Sequence, residues 1–290
     1  MAFFKSLALS GAALAGVAAG TIGAQAQTPA AAPVTASAAA NDPTYADLAT
    51  LSDAADAVVH VRIRKATALK PDRAPGVAPG FVRFYVEANT LSVIAGRSAV
   101  APAVTYLVDM PLDARGKAPK LKKREFLLFA RPVPSRPGEL QLVAPAAQLA
   151  YSPMLEERVR PVLTELYAAD VKPRITGVSD ALAVPGTLTG ESETQIFLAT
   201  EKRSPASITV LRRPGRAPEW GVSWGEIIDS SARPPARDTL AWYRLACGLP
   251  AQLPTNANLS RDSEERRLAA SDYAFVRQAI GTCERRITAR

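Results

Sequence analysis

The stretch from residue 57 to residue 145 contains five segments in which apolar residues alternate with polar ones or run continuously. In the first segment Val59, Val61 and Ile63 occupy every second position, the period of a strand with one buried face. The predicted strands span 58–64, 81–94, 105–110, 125–133 and 140–144. The third and fourth are apolar on both sides, so we expect them to be covered on both faces. Five consecutive strands favour a small closed or nearly closed barrel, because closure removes aggregation-prone edges.

Residues 1–26 have the layout of a secretory signal peptide. Lys5 supplies a positive charge, residues 7–22 form an Ala- and Gly-rich apolar run, and Ala24-Gln25-Ala26 matches a small-x-small cleavage site. The run contains few Leu, Ile or Phe residues, so we expect cleavage after Ala26 and no membrane anchor. This predicts a periplasmic or secreted protein without a transmembrane segment. Residues 27–43 are dominated by Ala, Pro, Thr and Ser, which predicts a disordered leader.

The opening of the strand-rich region has a distinctive spacing. Asp47-Leu48 lies in a short helix predicted over 45–51, Ala54-Ala55-Asp56 follows it, and Val58-Val59 begins the first strand. This order resembles the opening of netrin-like modules, which are OB-fold barrels. The resemblance implies an OB-like five-stranded β-barrel over residues 44–150 and no particular activity. Netrin-like modules often carry cysteines, and this region has none, so neither their disulfides nor protease inhibition is carried over.

Residues 151–230 are predicted to form a bridging helix and a small antiparallel sheet. The helix region spans 151–172 and begins at Ser152-Pro153, a favourable N-cap and first-turn pair. Pro161 is expected to kink or break it. The sheet region spans 173–230, with strands predicted over 181–184, 194–200, 207–213 and 220–228. The chain as a whole is therefore predicted to be an α+β protein.

The final region, residues 231–290, is predicted to be a disulfide-tied helical pair. Its helices are predicted over 238–246 and 263–281. Cys247 and Cys283 are the only cysteines, and an oxidising compartment favours a disulfide between them. Both cysteines lie at the C-terminal ends of their helices. Residues 249–262 must therefore run back along the pair, or the helices must pack in parallel or cross.

Few residues in the chain suggest catalytic chemistry. His60 is the only histidine, which excludes most histidine-based metal sites and two-histidine mechanisms. Its position predicts a solvated side chain on the polar face of the first strand. Residues 221–225 match G-x-S-x-G, but Trp220, Val222 and Trp224 alternate as in a strand, and no histidine follows. A nucleophile elbow needs a strand, a turn, a helix and a later histidine. The sequence also lacks a phosphate loop, a dinucleotide fingerprint and zinc spacing, so we predict no cofactor and no metal.

The densest feature is a run of six cations within residues 115–124, between the third and fourth predicted strands. The cations are Arg115, Lys117, Lys120, Lys122, Lys123 and Arg124. Such a loop can hold an anionic polymer by many weak, salt-sensitive contacts, in keeping with the net charge of +8. It can equally be a solvated loop without a ligand. An exported chain whose basic loop lacks aromatic residues is not expected to bind nucleic acid.

These patterns predict a non-catalytic binding or scaffold protein that engages an anionic component of the cell envelope. One alternative is a hydrolase, because a pair of facing carboxylates suffices for glycoside cleavage and the chain has many scattered acidic residues. Another is an adhesion or assembly component, which predicts an exposed apolar patch around Trp220 and Trp224. We expect both tryptophans to lie in the core instead. A smaller basic cluster, Arg212, Arg213 and Arg216, surrounds the turn between two predicted strands.

Overall fold

The computed structural model describes residues 42–97, 99–227 and 231–288. Within these residues the chain is an α+β protein with two antiparallel sheets and four α-helices. This confirms the predicted fold class. The predicted signal peptide, most of the predicted leader and the predicted end of the last strand at Ile228 lie outside the described residues.

The first sheet contains six strands. They are β1 (Ala57–Ala68), β2 (Phe81–Gly96), β3 (Ala103–Pro111), β4 (Glu125–Pro132), β5 (Leu140–Leu142) and β6 (Gln148–Ala150). The order is β3-β2-β1-β4-β5, with β6 also pairing with β4. Among the described residues no closed barrel is found, so the OB-like barrel stays a prediction. The two ends of the sheet do approach each other, because the Thr105 N–H of β3 donates to the Gly138 carbonyl just before β5, at 2.8 Å.

The sequence predicts that β3 and β4 are each covered on both faces, and only one of these predictions is correct. β4 is buried on both faces, as predicted. The prediction for β3 is wrong, since Leu107 is 48% exposed and lies opposite the exposed Tyr85 of β2. The cause is the placement of the helices, which pack their apolar residues over β1 and β4 but leave the outer face of β3 in solvent.

Two helices cover β1 and β4: α1 (Tyr45–Ala54) and α2 (Pro153–Leu166). α1 begins with a capping box between Thr44 and Asp47. α2 begins at the predicted Ser152 cap but continues through Pro161, so the predicted break is wrong. Pro161 faces solvent, and burial of the opposite face of α2 offsets the single backbone hydrogen bond that a proline removes.

The second sheet is antiparallel, as predicted, with the order β10-β9-β8-β7. Its strands are β7 (Ile175–Pro185), β8 (Ser192–Thr200), β9 (Ser207–Arg212) and β10 (Glu219–Ser223). β7 begins well before the predicted start, and β10 ends before the predicted end. α3 (Leu240–Gly248) and α4 (Ser263–Ile280) pack on this sheet. Asp262 caps α4 by accepting hydrogen bonds from the N–H groups of its first turn.

The predicted disulfide joins Cys247 to Cys283, with their Cα atoms 5.1 Å apart. The connection from α3 to α4 runs back along β7, as one of the predicted solutions requires. In that connection the Leu259 N–H donates to the Ala181 carbonyl at 2.9 Å. The Ser260 hydroxyl also accepts a hydrogen bond from a β7 amide.

α1 connects the two sheets. Its Leu48 and Leu51 are buried against β1, β4 and α2, whereas Ala46 and Ala49 belong to the core of the second sheet. Asp47 also holds the end of the described chain, because its carboxylate accepts hydrogen bonds from the backbone N–H groups of residues 286–288. Burial alone would raise the pKa of Asp47, but hydrogen bonds from Thr288 and from nearby backbone amides outweigh burial and lower the pKa to about 2.

Candidate anion-binding site

The basic loop, residues 115–124, joins β3 to β4 and is anchored at both ends. At its start the Asp113 carboxylate accepts hydrogen bonds from the backbone N–H groups of Arg115, at 2.9 Å, and Lys117, at 2.8 Å. Near its end the Lys123 N–H donates to the Ile63 carbonyl of β1, at 2.8 Å. Leu121 is only 2% exposed and belongs to the core of the first sheet. The loop backbone is therefore held by the fold even though its charged side chains project outward.

All six cations of the basic loop are exposed. None of them forms an ion pair with another described residue, although the Arg124 guanidinium lies 5.2 Å from the centre of the Phe126 ring. The cations of the adjacent strand β1 differ, because Arg62 pairs with Glu125 at 2.6 Å and Arg64 pairs with Glu87. Uncompensated positive charge is therefore concentrated on the loop rather than spread over the neighbouring sheet. This arrangement attracts anions over the range of about 8–10 Å that salt screening allows.

The smaller basic cluster does not form a comparable surface. Arg212 pairs at 2.5 Å with Asp272 of α4, a fully buried carboxylate, and Arg213 pairs at 3.3 Å with Glu219. Thr194 also donates to Asp272, at 2.5 Å. Most of the charge in this cluster is therefore neutralised within the fold. The arginines of this cluster are close together in the sequence. Their acidic partners lie on α4 and β10, so the spacing of the arginines does not reveal these ion pairs.

The prediction that His60 is solvated is wrong. His60 is only 8% exposed, and its Nε2 lies 2.9 Å from a carboxylate oxygen of Glu125 on β4. Its ring stacks on Tyr151, with 3.5 Å between the ring centres. Tyr151 follows the short strand β6, which is not among the strands predicted from the sequence. It covers the face of β1 that the alternation predicted to be solvent-exposed.

The hydrolase alternative requires two facing carboxylates, and two lie near this histidine: Glu125 beside its ring, and Glu156, which accepts a hydrogen bond from the stacked Tyr151. Hydrogen bonds from Arg62 and then from the imidazole lower the pKa of Glu125. Burial would raise the pKa of Glu156, but hydrogen bonds from Arg160 and from the Tyr151 hydroxyl outweigh burial and lower the pKa. A glycosidase needs one carboxyl group with a raised pKa as its general acid. Neither carboxyl group here has a raised pKa. The contacts of the cluster join β1 to β4, and Tyr151 to α2.

The first three residues of the G-x-S-x-G segment, 221–223, lie on β10 as predicted, and the strand ends at Ser223 before the last two residues of the segment. In the described residues after Ser223 the next helix starts at Leu240, so the strand–turn–helix geometry of an elbow is not formed. Trp220 is buried and Trp224 packs against the same core, which confirms the core prediction. The exposed apolar side chains of this sheet lie instead on β7 and β8, at Leu182, Val184 and Phe197.

No protein-family model matches the chain, and no curated protein matches it either. Among the described residues no group of three or more His, Cys, Asp or Glu side chains is arranged to hold a metal ion. Within the same residues, the helices all fall short of the length and apolar character needed to cross a membrane.

Proposed function

We propose that this protein is a non-catalytic binding or scaffold protein that engages an anionic component of the cell envelope through the basic loop, residues 115–124. One observation carries the proposal: six cations are exposed on a loop with a fixed backbone, and none forms an ion pair with a described residue. Export by the predicted signal peptide would bring the loop to lipopolysaccharide, anionic lipid headgroups or cell-wall polymer.

The strength of such binding comes from the number of contacts. A single exposed ion pair contributes only about 0–1 kcal/mol and is weakened by salt. A polymer or surface with closely spaced anions can engage several loop cations at once, so the contributions accumulate. Affinity should therefore fall steeply as the salt concentration rises. It should depend little on the identity of the anionic group.

We also propose an OB-like arrangement for the first sheet. The strand order β3-β2-β1-β4-β5 and the parallel bridge between Thr105 and Glu139 support it, because they bring the two ends of the sheet together. In this arrangement the basic loop connects the third and fourth strands at one end of the sheet, where it is free to approach an extended surface.

The test is sedimentation of the purified mature protein with isolated cell envelopes across a salt series. We expect binding at low salt that falls steeply at moderate salt and is lost when Lys120, Lys122, Lys123 and Arg124 are replaced by Ser. Binding that does not change with salt would contradict the proposal and point to an apolar partner surface. A failure to bind at any salt concentration would also overturn it.

A further inference from the structure

A second group of basic residues lines a pocket of about 310 Å³ beneath α1. α1, the start of β7, α3 and the last described segment of the chain form its walls. Its polar lining consists of Thr50, Asp53, Arg174, Tyr243, Arg244 and Arg285. The pocket is remote from the basic loop in the chain and shares none of its residues.

Asp53 is the only carboxylate in this lining, and both of its carboxylate oxygens accept hydrogen bonds from arginines. Arg244 donates to both of its carboxylate oxygens, at 2.5 Å and 3.0 Å, and Arg174 donates to one of them at 2.6 Å. Burial would raise the pKa of Asp53, but hydrogen bonds from the two arginines outweigh burial and lower the pKa. Outside the lining, Glu201 approaches Arg174 at 3.6 Å.

Arg285 is the arginine of the pocket that these carboxylates leave uncompensated. Its Nε is buried and has no hydrogen-bond acceptor among the described residues, and its guanidinium forms no ion pair with them. Buried donors of this kind are normally paired. The two Nη groups of Arg285 are not buried and also make no hydrogen bond with the described residues, so an acceptor in the pocket would meet these two groups first.

The backbone around Arg285 is fixed on both sides. Cys283 is bonded to Cys247 of α3, and the N–H groups of residues 286–288 donate to Asp47 of α1. The arginine is therefore presented to the pocket by a segment tied to two helices. Such fixing reduces the entropy that is lost when a ligand binds.

We propose that this pocket binds a small oxyanion, a phosphate or a carboxylate group, with Arg285 as its principal donor. The lining holds three guanidinium groups and one carboxylate, so an anion restores the local charge balance. The planar fork of a guanidinium matches the oxygens of both groups. The volume lies at the lower end of the range for ligand pockets, which suits a group of the size of a phosphate or a small carboxylate.

Calorimetric titration of the mature protein with inorganic phosphate and, separately, with succinate tests this proposal at constant ionic strength. Binding of phosphate alone would assign the pocket to phosphate groups, and binding of succinate alone would assign it to carboxylates. We expect Arg285→Gln to weaken binding about tenfold or more, because a hydrogen bond from a charged donor is lost. The matched control Arg216→Gln removes an exposed arginine outside the pocket and should bind like the unaltered protein.

Two further measurements keep the test independent of folding and of the basic loop. In the unaltered protein, the Nε–H resonance of Arg285 should shift on addition of the anion, so the proposal is tested even if Arg285→Gln does not fold. The four-residue Ser variant of the basic loop should keep its anion affinity, whatever its effect on envelope binding. The proposal is overturned if neither anion binds at millimolar concentration, if the Arg285 resonance does not move, or if folded Arg285→Gln binds as tightly as the control.

Discussion

The basic loop and the arginine pocket use the same kind of side chain in opposite ways. The loop cations are exposed and meet no carboxylate of the described residues, so they act through summed attraction that salt weakens. In the pocket, Arg244 is 5% exposed and is held by Asp53, so its geometry is fixed and its charge is compensated. The number of cations in a region therefore does not determine their role. Burial and the presence of a partner decide whether arginines stabilise the fold or face a ligand.

The largest expected effect comes from breaking the buried pair. Asp53→Ala leaves Arg244 buried without its carboxylate, and we expect a loss of about 3–5 kcal/mol in the free energy of unfolding, measured with urea. Asp170→Ala is the control, because Asp170 forms an ion pair with Lys172 while remaining 82% exposed. It should cost at most about 1 kcal/mol. Equal losses in the two variants would contradict the distinction between buried and exposed charge.

A second test uses the smaller basic cluster, which contains one buried and one exposed pair. Asp272→Ala removes the fully buried partner of Arg212 and Thr194, and we expect a loss of about 3 kcal/mol. Glu219→Ala removes the exposed partner of Arg213 and should cost at most about 1 kcal/mol. Urea unfolding of both variants measures the two losses in the free energy of unfolding. A larger loss in Glu219→Ala than in Asp272→Ala would contradict the prediction.

The buried carboxylate of Asp47 in α1 should make the stability of the protein depend on pH. The pKa of Asp47 is about 2 in the folded protein and about 3.9 in an unfolded chain, so its stabilisation is complete above about pH 4 and is lost as the pH falls towards 2. We expect Asp47→Asn to cost about 2 kcal/mol at about pH 6 and almost nothing near pH 2. Urea unfolding of both proteins across this range provides the measurement. A cost that does not change with pH would show that the carboxylate charge is not responsible.

The smallest effect on stability is expected in the basic loop itself. Replacing Lys120, Lys122, Lys123 and Arg124 by Ser should change the free energy of unfolding by no more than about 0.5 kcal/mol per residue, because these side chains are exposed and form no ion pairs with described residues. Arg124 should account for most of any loss, since its guanidinium lies over the Phe126 ring. Thermal unfolding checks this directly. A loss of several kcal/mol would mean that the loop cations stabilise the fold and are not held ready for a ligand.

Local sequence patterns were sufficient for much of the fold. The alternation of Val59, Val61 and Ile63 specified β1, and the presence of only two cysteines specified the disulfide. The three-residue strand β6 is too short to show a period, so it was missed. The position of His60 was then misjudged, because Tyr151 after β6 reaches it only in the folded chain.

The two basic regions were not equally visible in the sequence. The basic loop is a contiguous run, and the fold adds only the finding that its cations are exposed and its backbone anchored. The pocket draws Arg174, Arg244 and Arg285 from three distant parts of the chain. Their convergence depends on how α1, α3 and the last described segment pack together, and no local pattern encodes that packing.

Binding to the envelope through the basic loop is tested most directly by two variants that lose the same number of positive charges. One carries the four Ser substitutions in the basic loop. The other carries Ser at the exposed residues Lys202, Arg216, Arg261 and Arg267, all outside it. At low salt, we predict that the loop variant fails to sediment with cell envelopes while the second variant still does so. Equal loss of binding in both variants would show that net charge holds the protein to the envelope. That result would contradict binding through the basic loop.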